Sequence, residues 1–136
     1  MHAQFVPSPS PYAPAIGFSA AVRAGNFVLV AGTTAVNADG DVIGDGDAYA
    51  QAGECLRKIG VALAAAGAGL EDVVQTRMYL TDVAHWHPVG RAHGEVFSST
   101  RPVATMVGVA ALLDPRMLVE IEATAWLGDD RGSLSG

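Results

Sequence analysis

The clearest pattern in the chain is an alternation of apolar and polar residues near the C-terminus. The apolar positions are Val119, Ile121, Ala123 and Ala125, and the positions between them are Glu120, Glu122, Thr124 and Trp126. This alternation predicts a strand over residues 118–126 that buries one face and turns the other to water or to a partner. The β-branched run 101–110 predicts a strand paired with it, joined by turn-forming residues at 113–116. Glu120 and Glu122 therefore lie either in water or in a polar cavity.

The first half of the chain predicts a hairpin followed by a long helix. Strands are expected at 18–23 and 27–32, with a third short extended piece near 35–36. Asp45 or Asp47 caps a helix that runs to about Ala66 and stops at Gly67. Its apolar stripe is Ala48, Ala52, Cys55, Leu56, Ile59, Leu63 and Ala66. The residues expected away from that stripe are Gln51, Glu54 and Lys58.

A further strand and a second helix follow. Residues 73–80 predict a strand that turns Arg77 and Tyr79 to one face, and residues 81–82 open a helix. The positions at helical spacing are Trp86, Val89, Gly90, His93, Val96 and Phe97. The proline-rich residues 1–14 are expected to run extended over the surface without regular helix, and residues 128–136 to form a frayed tail, which leaves 15–127 as one domain.

The resulting order, β-β-(β)-α-β-α-β-β, predicts an α+β sandwich with two helices on one face of a mostly antiparallel sheet. The other face is expected to hold Arg77, Tyr79, Glu120, Glu122 and Trp126. Such a face is too mixed for a core and too aromatic for open water. We therefore expect the chain to form an oligomer through it.

Composition narrows the classes of partner. The 136 residues carry eight Lys and Arg against fourteen Asp and Glu, a formal net charge of −6, which argues against nucleic acid and anionic membranes. No run is long and apolar enough for a membrane span, and the N-terminus lacks a secretory pattern, so a cytoplasmic protein is expected. The single cysteine, Cys55, excludes an internal disulfide and is expected to be a core residue rather than a nucleophile.

Common catalytic motifs do not occur. The sequence has no P-loop, no dinucleotide-binding glycine motif and no nucleophile elbow, and its four histidines form no metal-binding pattern. His85 and His87 flank Trp86 but point to different helix faces. His93 has two interpretations: a core or interface histidine, or a residue that faces substrate.

Several segments together resemble the RidA/YjgF family, the reactive-intermediate imine deaminases. The segments are 27–32, 65–74, 79–82, 101–110 and 119–123, and the resemblance extends over about residues 15–127. It implies a chorismate-mutase-like fold and a homotrimer whose sheets form a central barrel, with clefts between subunits. Active members hydrolyse 2-imino or 2-enamino acids to the keto acid and ammonia, without metal or organic cofactor.

The resemblance transfers unevenly to the site residues. Only Glu120, which in active members is thought to position the hydrolytic water, matches outright. The arginine that grips the substrate carboxylate is Ala104, followed by Thr105 and, at a position often held by cysteine, Met106. The remaining counterparts are Phe18 and Ser19 for an aromatic and Gly90 for an asparagine. The chain is thus placed in an arginine-lacking branch, where imine hydrolysis cannot be assumed.

Two functions remain open. The first is a hydrolase or deaminase for an imine, enamine or amide, in which Glu120 handles the water and backbone amides near Ala31, Gly32 and Ala104–Met106 hold an oxyanion. Arg77 is the candidate to replace the missing cation, with a structural pair to Glu122 as the preferred alternative. The second is a trimer that binds a neutral metabolite without catalysis, in a cleft lined by Phe18, Ala104, Met106 and His93. Endoribonuclease activity, attached to the family by name, is disfavoured by the acidic charge.

Overall fold

The structure, a computed structural model, describes residues 3–129. The strands are β1 (Gln4–Pro7), β2 (Ser19–Ala24), β3 (Phe27–Thr33), β4 (Val73–Leu80), β5 (Val103–Gly108) and β6 (Val119–Trp126). The helices are α1 (Ala13–Ile16), α2 (Ala48–Ala65) and α3 (Trp86–Phe97), with 3-10 turns at Leu70–Asp72 and Val83–His85. The strands form one sheet in the order β1-β2-β3-β6-β4-β5, antiparallel except for the β4–β5 pair. This confirms the predicted α+β class.

Strand β6 lies in the middle of the sheet, between β3 and β4, and its alternation is as predicted. Its four apolar positions are buried beneath the helices, whereas Glu120, Glu122 and Thr124 are half-buried and Trp126 is exposed on the opposite face. Apolar residues of α2 and α3 join the same core, so both helices cover one face of the sheet.

The predicted pairing of the last two strands is wrong. β5 runs parallel to β4 at the edge of the sheet and does not contact β6 in the ladder. The chain passes from β4 through α3 to β5, and such a crossover returns a strand parallel to the one it left. The ten residues between β5 and β6 are long enough to carry the chain across to the far side of β4.

Helix α2 begins as predicted, with Asp47 as its cap. The Asp47 carboxylate accepts a hydrogen bond from the Ala50 amide at 3.0 Å, and Gly67 follows the helix with a φ of 84°. Gln51, expected on the polar side, is instead fully buried. Its side chain donates to the carbonyls of Gly44 and Arg116 and accepts from the Leu118 amide, so it ties α2 to the loop that leads into β6.

The N-terminal segment is more structured than its prolines indicated. Gln4–Pro7 pairs with β2 as an edge strand, and Ala13–Ile16 forms one helical turn with Pro14 among its first residues, where a missing N–H costs nothing. Residues 130–136 of the predicted frayed tail lie outside the described residues. No helix within residues 3–129 is long and apolar enough to cross a membrane.

The face of the sheet opposite the helices, hereafter the uncovered face, carries several exposed apolar side chains. They are Phe5, Phe27, Leu29, Val103, Val107 and Trp126, each at least 42% exposed. Together with the open edge of β5, they form an apolar surface of the kind that natural proteins cover.

Candidate functional site

Glu120 lines a small cavity at the end of β3. The cavity, hereafter the Glu120 cavity, has a volume of about 240 Å³. Its walls include Phe18, Ala31 and Gly32, three residues that the sequence assigned to the site, and also Tyr12 and Met117. The cavity therefore unites four predicted site residues from three separate parts of the chain.

The β3–β6 ladder is irregular where it meets this cavity. Val30 pairs with Ala123, but the next pair is Thr33 with Ile121, so the register passes over Ala31 and Gly32. Irregularities of this kind redirect the backbone and occur frequently beside active sites. Here the irregularity falls at Ala31 and Gly32, which line the cavity and where the sequence predicted an oxyanion contact.

Gly32 leaves the space that the Glu120 side chain occupies. A β-carbon at position 32 would lie 3.1 Å from Glu120 Cδ and closer still to Oε2. The glycine is therefore required by the position of the carboxylate, since any larger residue would push that group away.

The Glu120 carboxyl group is half-buried, and its pKa is raised above the ordinary value. The main cause is burial, and the second is the negative charge of Glu122. Desolvation disfavours the charged form of a carboxyl group, so Glu120 can hold a proton closer to neutral pH than an exposed glutamate does.

Arg77 is paired with Glu122, as the structural alternative predicted. The guanidinium lies 3.7 Å from the Glu122 carboxylate, to which Tyr79 also donates a hydrogen bond. This cluster lies on the uncovered face beside Glu120, because Tyr79 is the β4 partner of Glu120. Arg77 lines neither of the two cavities described for residues 3–129.

A second group of predicted site residues lies elsewhere in the subunit. Gly90, His93, Ala104 and Met106, hereafter the Ala104 cluster, belong to α3 and β5. Thr76 and Met78, which face the helices, are the β4 partners of Ala104 and Met106, so these two residues also point to the helix side. Glu120 is on β6, and β4 lies between β6 and β5, so the two strands are roughly 10 Å apart.

His93 is held in place by the core. Its Nε2 lies 2.8 Å from the Oγ1 of Thr76, and its ring packs against Phe97. Burial lowers the pKa of the imidazole, which favours the neutral form. The contacts match the core interpretation of His93, although the ring is only half-buried and its partner Thr76 is the β4 partner of Ala104.

Ser19 and Thr105 belong to neither group. Ser19 opens β2 opposite Pro7 and lines neither cavity, and Thr105 is exposed on the face that carries Arg77. Conversely, the sequence did not indicate that Ser10 and Tyr12 reach the Glu120 cavity. The sequence feature that could have indicated this is Tyr12 itself, because a large aromatic side chain in a segment of prolines and small polar residues usually packs against the rest of the protein.

Cys55 is a core residue, as predicted. It is fully buried, and burial raises the pKa of its thiol to about 12. A thiol with so high a pKa supplies almost no thiolate, which is the reactive form.

Comparison with known proteins places these features in a family context. The model of the family described as Endoribonuclease L-PSP matches residues 9–127. An uncharacterised protein from Streptomyces coelicolor is 42% identical over 90% of this chain and 91% of its own length. The 3-aminoacrylate deaminase RutC of Acinetobacter baylyi is 34% identical over 87% of this chain and 90% of its own length. The crystal structure of Rv2704 from Mycobacterium tuberculosis, a member of the YjgF/YER057c/UK114 family, has 47% sequence identity and a TM-score of 0.84, covering 92% of this chain and 99% of that chain.

Proposed function

Because the chain belongs to the Endoribonuclease L-PSP family, the RidA/YjgF family that its sequence resembles, we propose that it is a small-molecule hydrolase of the deaminase type. Its substrate contains an imine, an enamine or a related C–N bond. The reaction takes place in a cleft between subunits of a homotrimer and uses no metal or organic cofactor. The name of the 34% identical relative, a deaminase of 3-aminoacrylate, supports this class of chemistry.

The observation that carries the proposal is the environment of Glu120. Its carboxyl group is half-buried, has a raised pKa and lines a cavity of about 240 Å³, which has room for a small molecule. A general acid–base group works best when its pKa approaches the operating pH. An exposed structural glutamate has neither the cavity nor the raised pKa.

In the proposed reaction, Glu120 first acts as a base. It takes a proton from water while the water oxygen forms a bond to the imine carbon, and it passes that proton to the imine nitrogen as the C=N electrons move onto it. The resulting tetrahedral carbinolamine then collapses: Glu120 takes the proton of the hydroxyl group and delivers it to the nitrogen, the oxygen forms the C=O bond as the C–N bond breaks, and ammonia leaves the carbonyl product. The amides at Ala31 and Gly32 are suited to hold the oxygen on which charge develops.

The trimer enters the proposal because the predicted site is divided within one subunit. The Ala104 cluster is separated from the Glu120 strand by β4 and points to the other side of the sheet. A second copy that packs against the uncovered face and the β5 edge would bring its own Ala104 cluster towards Glu120. The exposed apolar residues of that face provide a physical reason for such packing.

Ala104 directs the choice of substrate. A methyl group cannot form the bidentate contact that an arginine makes with a carboxylate. We therefore expect poor turnover of simple 2-imino acids and better turnover of a substrate that lacks a carboxylate beside the reacting carbon.

The alanine at position 104 also favours the second candidate, a trimer that binds a metabolite without catalysis. In that case the cleft would hold a neutral molecule, and Glu120 would be a structural carboxylate. Endoribonuclease activity is a weaker candidate, because a net charge of −6 repels the phosphate backbone of RNA.

The test is ammonia release from freshly generated 2-iminopropionate by the wild type, Ala104→Arg and Glu120→Gln. We expect low activity in the wild type, a gain in Ala104→Arg and loss of activity in the double variant that also carries Glu120→Gln. Wild-type activity equal to that of an arginine-bearing relative would disprove the role assigned to Ala104. Activity that survives Glu120→Gln would leave Glu120 structural, whereas no activity in the wild type or in Ala104→Arg would favour the binding protein.

A further inference from the structure

A larger cavity lies between α2, the N-terminal segment and the loop that follows β3. It has a volume of about 610 Å³, within the range of small-molecule sites in proteins. It shares the wall formed by Phe18 and Gly32 with the Glu120 cavity, but Glu120 itself does not line it. This cavity, hereafter the Lys58 cavity, therefore differs from the Glu120 cavity in its charged residues.

That lining is mainly apolar. Val6, Val36, Val61 and Phe18 come from four different segments and meet around the space. A molecule that enters would bury an apolar body against them, which is favourable in proportion to the area removed from water.

The charged residues of the lining are Glu54, Arg57 and Lys58. Arg57 donates two hydrogen bonds to the Glu54 carboxylate, at 2.8 and 2.7 Å, so these two charges compensate each other. Among the described residues of the lining, Lys58 is thus the cation that forms no salt bridge, and Glu54 acts on it only as a more distant charge.

The Lys58 ammonium is fixed and partly desolvated. It donates to the carbonyls of Thr34 and Val36 at 2.6 and 2.7 Å. An ammonium group has three N–H donors, so one is left for another acceptor. Burial also lowers the pKa of Lys58, which means that its charge lacks full compensation in the described part of the chain. An anion delivered by a ligand would supply that compensation.

We propose that the Lys58 cavity binds a small carboxylate with an apolar body, in which the carboxylate contacts Lys58 and the apolar part lies between Val61 and Phe18. This site is separate from the proposed catalytic centre, and binding to it does not depend on the deaminase function. A neutral molecule of the same size would lose the charged contact, and a short carboxylate would lose the apolar one.

The test is calorimetric titration of the full chain with butanoate, hexanoate, octanoate and decanoate and with the primary alcohols of equal length. We expect one site per chain and an affinity that increases about fourfold with each methylene until the cavity is full. Each alcohol should bind at least about tenfold more weakly than its carboxylate, since a hydrogen bond to a charged group is lost. Equal affinities for alcohols and carboxylates would overturn the proposal.

Variants separate binding from folding. Lys58→Met should weaken carboxylate binding by about tenfold or more, down to the level of the alcohol. Lys58→Met also removes two hydrogen bonds to the loop that follows β3, so a second variant, Val61→Trp, tests the cavity without changing them. Val61 is 60% exposed, so the larger ring can be accommodated while it obstructs the cavity and removes binding of octanoate.

Two controls complete the design. Arg91→Met removes a cation from α3, away from the cavity, and should leave the affinity unchanged. Glu120→Gln should also leave it unchanged, and a tenfold loss in that variant would show that the carboxylates bind in the Glu120 cavity instead. Retained affinity in folded Lys58→Met, or in Val61→Trp, would equally overturn the proposal.

Discussion

The contact between Gly32 and Glu120 gives a sharp prediction for the variant Gly32→Ala. The added β-carbon would meet Glu120 Oε2 well inside van der Waals contact and Cδ at 3.1 Å, so the carboxylate must retreat by about 1 Å. A displacement of about 1 Å in a catalytic group can cost on the order of 10²-fold in rate. We therefore expect ammonia release from a substrate of the wild type to fall by about that factor.

The stability of the same variant should change little. The displaced atoms are the end of a flexible side chain, and an altered rotamer costs about 0.5–1.5 kcal/mol. Replacing glycine by alanine in a strand restores about 0.5–1 kcal/mol. The two effects offset each other, so the free energy of unfolding should stay within about 1 kcal/mol of the wild type.

Urea unfolding and ammonia release, measured on the same samples, check both parts. NMR titration adds a readout that needs no substrate, because a displaced Glu120 becomes more hydrated and its pKa should move back towards the ordinary value. Gly53→Ala is the matched control: no atom lies within 4 Å of a β-carbon there, so activity should persist and α2 should gain stability. Full activity in Gly32→Ala, or a loss of more than 3 kcal/mol, would refute the geometric reasoning.

Three further predictions concern stability and assembly. The pKa of Glu120 is raised, mainly by burial and then by the charge of Glu122. The protonated carboxyl group therefore contributes stability below its ordinary pKa, and this stability is lost as the pH rises through the raised value. In urea unfolding, Glu120→Gln should be more stable than the wild type at pH 8, and the difference should vanish near pH 4. Gln51→Leu removes three buried hydrogen bonds and should lower the free energy of unfolding by about 3 kcal/mol, and a change below about 1 kcal/mol would contradict the role assigned to this side chain. Leu29→Glu places a charge on the uncovered face and should reduce the mass of the oligomer in light scattering, whereas the control Ile43→Glu, in an exposed loop, should not.

Features that depend on neighbours in sequence were predictable. The alternation in β6 and the spacing of apolar residues in α2 each follow from the period of one element, and burial in the structure agrees with both. The Asp47 cap and the turn at Gly67 are equally local. The family resemblance then supplied the proposal that Glu120 is the site carboxylate.

Features that depend on long-range geometry were not predictable from these patterns. β5 and β6 both read as strands, but periodicity does not say which strands pair, and the pairing follows from the crossover through α3. Gln51 was predicted to be exposed because its side chain is polar. It is buried because its hydrogen-bond partners are backbone groups of a loop distant in sequence, which a pattern of side chains does not reveal. Lys58 is a similar case, since its partners are carbonyls.

The proposed site is divided between the Glu120 cavity and the Ala104 cluster, so residues of one part can change while the other part keeps its chemistry. Glu120 and Gly32 belong to β6 and β3, whereas Ala104 belongs to β5, so a different residue at position 104 leaves the carboxylate and its cavity intact. In the isolated subunit, a half-buried carboxylate with a raised pKa costs stability at neutral pH, and a protein that only binds a neutral ligand would be more stable without it. A group that destabilises the fold and lines a cavity is better explained by catalysis. The combination therefore supports the proposed hydrolase with altered substrate capture over the proposed binding protein.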